Sequence, residues 1–194
     1  MEEQELISRS QAGDIESFNL LVERYQRLVY NLSLRMLGNA GTADDAAQDT
    51  FISAYKAIGK FRGGSFKAWL LRIAANSCHD KLRVARRASI TSLDGLLEEA
   101  GDFIRDDATE SPEAYAQRRE LSRLLRSGMA HLPEDQRLVV ILSDIQGLSY
   151  EEISQATGSS LGTVKSRLNR GRARMRDFLL RHRELLPAEF RQHK

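Results

Sequence analysis

The densest run of chemically capable side chains lies between Leu148 and Arg176. Ser149 to Glu152 spells a capping box, Thr157-Gly158-Ser159 a tight turn, and Ser160 a second cap, so two short helices meet at a glycine turn. That pattern predicts a helix-turn-helix. Ile153, Ala156, Leu161, Val164 and Leu168 supply its inward stripe. Its second helix carries Lys165, Arg167, Arg170, Arg172, Arg174 and Arg176 before the first acid, Asp177. The bland alternative is a solvated face on a plain helical hairpin. A basic helix entered through two caps fits the major groove of DNA better, because Arg and Lys supply phosphate contacts and guanine readout. Thr163, Lys165, Ser166, Arg167, Asn169 and Arg170 fall within its first three turns, where base edges are met, and Arg174 lies further along with the phosphates.

A second basic block differs in kind. Lys60, Arg62, Lys67, Arg72, Lys81, Arg83, Arg86 and Arg87 interleave with Phe61, Phe66, Trp69 and Asn76 across a glycine-rich loop and the helix after it. Cations with exposed aromatics suit opened or single-stranded nucleic acid, whose unstacked bases need ring faces and amide edges. Phe66 and Trp69 read as core at helical spacing. Phe61, between Lys60 and Arg62 in a loop, is the candidate exposed ring.

The elements that must position these groups read as helices throughout. Phe18, Leu21, Val22, Tyr25, Leu28, Val29, Leu32 and Met36 form one buried stripe, stopped by Gly38-Asn39, and Gly13-Asp14 ends a short helix before it. Thr42 with Asp45 signals the next start, whose inner face is Ala47, Phe51, Ala54 and Ile58. That helix leaves Asp45, Gln48, Asp49 and Ile52 on its outer face at i, i+3, i+4 and i+7. Ser65 caps a helix running to about Arg87. Ser111-Pro112 restarts helix to about His131, and Leu132-Pro133 opens another ending at Gly147. Periodicity fails from Ser89 to Ser111. The expected fold class is therefore all-α: two small helical domains, 1–88 and 112–194, standing as separate units joined by a flexible acidic linker, 89–111.

Charge follows the same division. The whole chain of 194 residues has a net charge of +2, but residues 1–58 carry −4, 59–88 carry +7, 89–115 carry −7 and 116–194 carry +6. Two basic blocks around an acidic one suggest two places that meet phosphate. Other classes fall away on inventory. The longest uncharged stretch, twelve residues from Ile153 to Val164, is too short and too rich in Gly and Ser to cross a bilayer, so no membrane insertion is expected. The start Met1-Glu2-Glu3-Gln4-Glu5 lacks the cations and apolar core of a secretory signal, and one cysteine excludes an internal disulfide; a cytoplasmic location is expected. The four histidines have no ligand partners at metal spacing, Cys78 reads as a packing residue, and no Gly-x-x-x-x-Gly-Lys run occurs. No catalytic residue, metal or cofactor is expected, and the chain is not expected to be an enzyme.

Two segments carry a family likeness. Asp44-Asp45-Ala46-Ala47-Gln48-Asp49-Thr50-Phe51-Ile52, Tyr55-Lys56-Ala57-Ile58, Phe61-Arg62-Gly63 and Trp69 to Asn76 resemble region 2 of the extracytoplasmic-function sigma factors. Leu132-Pro133-Glu134, Gly147 to Ile153 and Gly162 to Leu168 resemble their region 4. The resemblance implies a bacterial RNA polymerase initiation subunit that binds core polymerase and promoter DNA, with an anti-sigma factor as a further partner in a stress or envelope response. It implies that Asp45, Gln48, Asp49 and Ile52 meet the clamp helices of the largest polymerase subunit. At the minus-10 element, Phe61 and Asn76 are the candidates for receiving a flipped base through stacking and amide hydrogen bonds, with Arg62, Arg83 and Arg86 on phosphates. The resemblance matches Lys165, Ser166 and Arg170 to the family's contact positions at the minus-35 element, where helix position adds Thr163, Asn169 and Arg174 as candidates and Arg167 as a further phosphate contact. It further implies that the acidic linker threads the polymerase cleft. Ser143 and Asn169 depart from the family's commoner residues. The rival reading is a stand-alone helix-turn-helix regulator, which accounts for residues 112–194 but not for the basic block at 59–88.

Overall fold

Residues 2–89 and 112–186 are described by a computed structural model. The linker at 90–111 and the end of the chain lie outside the described residues, so the expected linker conformation has no counterpart below. No strand occurs among the described residues.

The first group is built around one long amphipathic helix. α1 (Glu3–Gln11) closes at Gly13, whose φ of 94° turns the chain, and Asp14 then caps α2 (Ile15–Leu37) by accepting from the Glu16 and Ser17 amides. The Ser17 hydroxyl, which donates to Asp14 Oδ2 at 2.8 Å, and then the Ser17 amide hold the Asp14 carboxyl below its ordinary pKa. Leu21, Val29, Leu32 and Met36 are buried as one stripe, and Gly38, left-handed at φ 76°, ends the helix. α3 (Ala40–Ala57) begins three residues before the start expected after a Thr42 cap. Asn39 is the cap, its Oδ1 accepting from the Thr42 amide at 2.8 Å, so Thr42 supplies the donor rather than the cap. α4 (Phe66–Ser89) follows a 3-10 turn (Ile58–Lys60) and the glycine loop, with the Ser65 hydroxyl accepting from the Ala68 amide.

The second group opens with α5 (Pro112–Ala130). α6 (Glu134–Val140) runs into a widened π turn (Ile141–Ile145), where the Gln146 amide bonds to the Ile141 carbonyl at 2.9 Å. α7 (Tyr150–Thr157) and α8 (Leu161–Arg181) complete it. A 3-10 turn (Arg183–Leu185) follows. Val139, Ile141, Leu142, Ile153, Val164 and Leu168 are its fully buried centre.

The sequence reading treats the groups as separate units, whereas the structure brings them into contact, α4 lying on α7. Lys67 Nζ donates to the Gln146 carbonyl at 2.6 Å and Arg137 to the Met36 carbonyl at 2.7 Å. The contiguous set of buried apolar residues runs from Leu6 to Leu168 across the junction.

Candidate nucleic-acid interface

The helix-turn-helix is fixed by local bonds. Ser149 Oγ accepts from the Glu152 amide and the Glu152 carboxylate accepts from the Ser149 amide at 2.9 Å, a complete capping box that lowers the Glu152 pKa. Gly158 turns at φ 64°, a left-handed conformation that glycine adopts without strain, and Ser160 Oγ caps α8 through the Thr163 amide. Val164 and Leu168 bury as expected. Leu161 does not: it is 40% exposed, because at the first turn it sits at the margin of the stripe rather than on its centre line.

Positioned in this way, α8 divides its polar side chains. Arg167 lies back on the protein, Nη1 donating to Ser159 Oγ at 2.8 Å and Nε pairing with Asp135 Oδ2 at 2.9 Å. Arg172 makes a two-pronged pair with Asp144, at 3.0 Å from Nε and 2.5 Å from Nη2; this holds the Asp144 carboxyl below its ordinary value and raises the guanidinium. Lys165 sits 5.9 Å over the Tyr150 ring, and Arg170 folds along the helix to the Ser166 carbonyl at 3.2 Å. Ser166, Asn169 and Arg174 are exposed, and Thr163 is half-buried beside its cap. Asp135, Asp144 and Tyr150 went unread in the sequence because each meets α8 from a distant stretch of chain.

The basic block at 59–88 is less unified than its sequence suggests. Phe61 is buried at 7% exposure, contrary to the expected exposed ring. It packs 5.6 Å from Phe66 and 5.3 Å from Trp69, centroid to centroid, and Gln11 Nε2 donates to the Ile58 and Phe61 carbonyls, drawing the loop onto α1. Asn76 is exposed on α4, seven residues beyond Trp69. Arg62 and Arg83 are exposed, Arg83 pairing with Asp80 at 2.7 Å. Arg86 pairs with Glu134 of α6, which also lies 3.5 Å from His79 Nδ1.

On α3, Asp45, Gln48, Asp49 and Ile52 all reach solvent, Ile52 at 54% exposure. Asp49 pairs with Lys81 of α4 at 2.8 Å, and Tyr55, one turn beyond Ile52, extends the apolar part of this face. Among the described residues there is no cluster of His, Cys, Asp and Glu able to hold a metal, and no helix long and apolar enough to cross a membrane.

Comparison with known proteins gives these surfaces a context. Residues 21–88 match the family described as Sigma-70 region 2, and residues 122–175 match Sigma-70, region 4. RNA polymerase sigma-H factor of Pseudomonas aeruginosa is 41% identical over 175 residues, spanning 88% of this chain and 90% of that protein. ECF RNA polymerase sigma-E factor of Escherichia coli is 39% identical with the same coverage. The fold also resembles the sigma factor RpoE of Bartonella quintana, solved in complex with the anti-sigma factor NepR: TM-score 0.68, 25% identity, 84% of this chain and 97% of that one. CnrH in complex with the cytosolic domain of CnrY is likewise similar, with TM-score 0.64 and 26% identity, over 91% of this chain and 96% of that one. With a basic helix-turn-helix, a second basic helix and two region matches in order, the chain belongs to the extracytoplasmic-function sigma factors of the sigma-70 family.

Proposed function

We propose that this sigma factor divides promoter recognition between its two helical groups and docks on core RNA polymerase through α3. The exposed stripe of Asp45, Gln48, Asp49 and Ile52 meets a basic coiled coil of the polymerase, with Tyr55 widening the apolar contact. Asn76, Arg62, Arg83 and Arg86 serve the minus-10 element, while Phe61 holds the loop that presents Arg62 rather than stacking on a base. Thr163, Lys165, Ser166, Asn169, Arg170 and Arg174 face the minus-35 element. Arg167 positions the turn through Ser159 and Asp135. The domain division at 1–88, 89–111 and 112–194 follows these roles.

The observation that carries this reading is the outward face of α8, where Ser166, Asn169 and Arg170 stand clear of the core on a helix rigidly capped at its start. Docking is tested by Gln48→Ala with Asp49→Arg. The double substitution should abolish holoenzyme formation with unchanged helical circular dichroism, and wild-type affinity for core would contradict the assignment. The chain acts in the cytoplasm, and the polymerase supplies the chemistry. An anti-sigma factor is its expected regulator, a reading supported by the complex of the Bartonella relative with the anti-sigma factor NepR.

A further inference from the structure

At 100° per residue, the direction opposite the buried line of Val164, Leu168 and Gly171 is held by Gly162, Ser166, Asn169 and Ala173. All four are short. A helix whose outermost line is short can bring its axis close to base edges, while longer cations on its flanks, such as Lys165, reach the phosphate walls. On that line Ser166 is already engaged, donating to the Thr163 carbonyl at 3.0 Å and accepting from Arg170 Nη2 at 3.3 Å. Asn169 is not. It is exposed, and among the described residues no hydrogen bond holds its amide. Helix propensity gives no reason for an Asn in the third turn of α8.

We propose, resting on the reading of α8 as the minus-35 helix, that Asn169 is a specificity-determining residue that reads an adenine. Its amide presents one acceptor and one donor side by side. In the major groove adenine presents the matching pair, an N7 acceptor beside an N6 amino donor. Guanine presents two acceptors, which would set the amide oxygen against O6, and the pyrimidines offer one polar group each. Arg170, the next residue, carries the donor fork that fits guanine, so the two side chains have different preferences.

The test uses holoenzyme assembled from core polymerase and the full chain, selected against DNA randomised across the minus-35 element at two salt concentrations. Wild type is expected to favour adenine at one position by roughly 5- to 150-fold. Asn169→Ala should level that position and leave the other positions and the salt slope unchanged, since no charge is lost. Asn169→Arg should move the preference there to guanine. An adenine preference retained by Asn169→Ala would overturn the proposal, and so would a loss spread evenly over all sequences, which would place the amide on the backbone. A wild-type holoenzyme with no minus-35 preference at all would instead overturn the underlying reading of α8.

Discussion

Gly171 shows how little room separates α8 from α6. A Cβ there would come within 2.7 Å of Val140 Cγ2 and 3.4 Å of the Gln136 carbonyl. Alanine would gain about 1 kcal/mol in helix propensity, but a stiff branched side chain and a backbone atom cannot yield, and overpacking of this kind costs ~1–3 kcal/mol. Gly171→Ala should therefore lower the denaturation midpoint. At Gly128 the nearest atoms are Met175 Sδ and Cε, the far end of a flexible side chain, with Phe178 Cδ1 at 2.9 Å. Gly128→Ala should cost less than Gly171→Ala, and the reverse order in urea melts would contradict this packing. Cys78 is fully buried, its thiol pushed up to about 11 by desolvation. It should resist alkylation at pH 8 in the folded protein and react fully in denaturant; rapid modification of native protein would contradict its placement. The Asp144 carboxyl sits below its ordinary 3.8, chiefly through the Arg172 bond. Its contribution to stability is present above that value and is lost as pH falls through the lower, folded value. Asp144→Asn should remove part of the acid sensitivity below the ordinary carboxylate value while leaving the slope at higher pH unchanged, as read by unfolding at each pH.

At the scale of elements, whatever depends on neighbours within a turn was legible beforehand. The Ser149 capping box, the Gly158 turn and the Ser160 cap are all local, and replacing Ser149 by Ala should cost ~1 kcal/mol by loss of its cap, checked by equilibrium denaturation. The α3 start was read three residues late because Gly38-Asn39 does two jobs: the glycine ends α2 and the asparagine begins α3 at once. Phe61 was read as exposed because its sequence neighbours are Lys60 and Arg62. The residues that bury it, Phe66 and Trp69, come later, and the bond that draws its loop inward comes from Gln11, fifty residues earlier. The Arg167 ion pair was illegible for the same reason, since Asp135 reaches it from another helix. Short-range pattern reveals caps and stripes; long-range pairing decides which cations remain available to a ligand.

On the scale of the molecule, the two promoter-facing groups hold each other. Glu134 engages Arg86, a cation assigned here to minus-10 DNA, and Lys67 reaches across to the Gln146 carbonyl. These polar ties are partly exposed and individually modest, about 1 kcal/mol or less for a surface pair. Lys67→Ala with Glu134→Gln should raise the radius of gyration of the free chain in X-ray scattering without loss of helical dichroism; an unchanged radius would leave the contact to apolar packing of α4 on α7. This sigma factor is expected to carry promoter choice but to exercise it only on the polymerase. The most direct measurement is the sequence preference of the purified chain and of its holoenzyme against one library randomised at both promoter elements. Weak, unselective binding by the chain alone and a defined preference at both elements after core is added is the expected result. Equal sequence preference without core would contradict it, and would favour a stand-alone regulator.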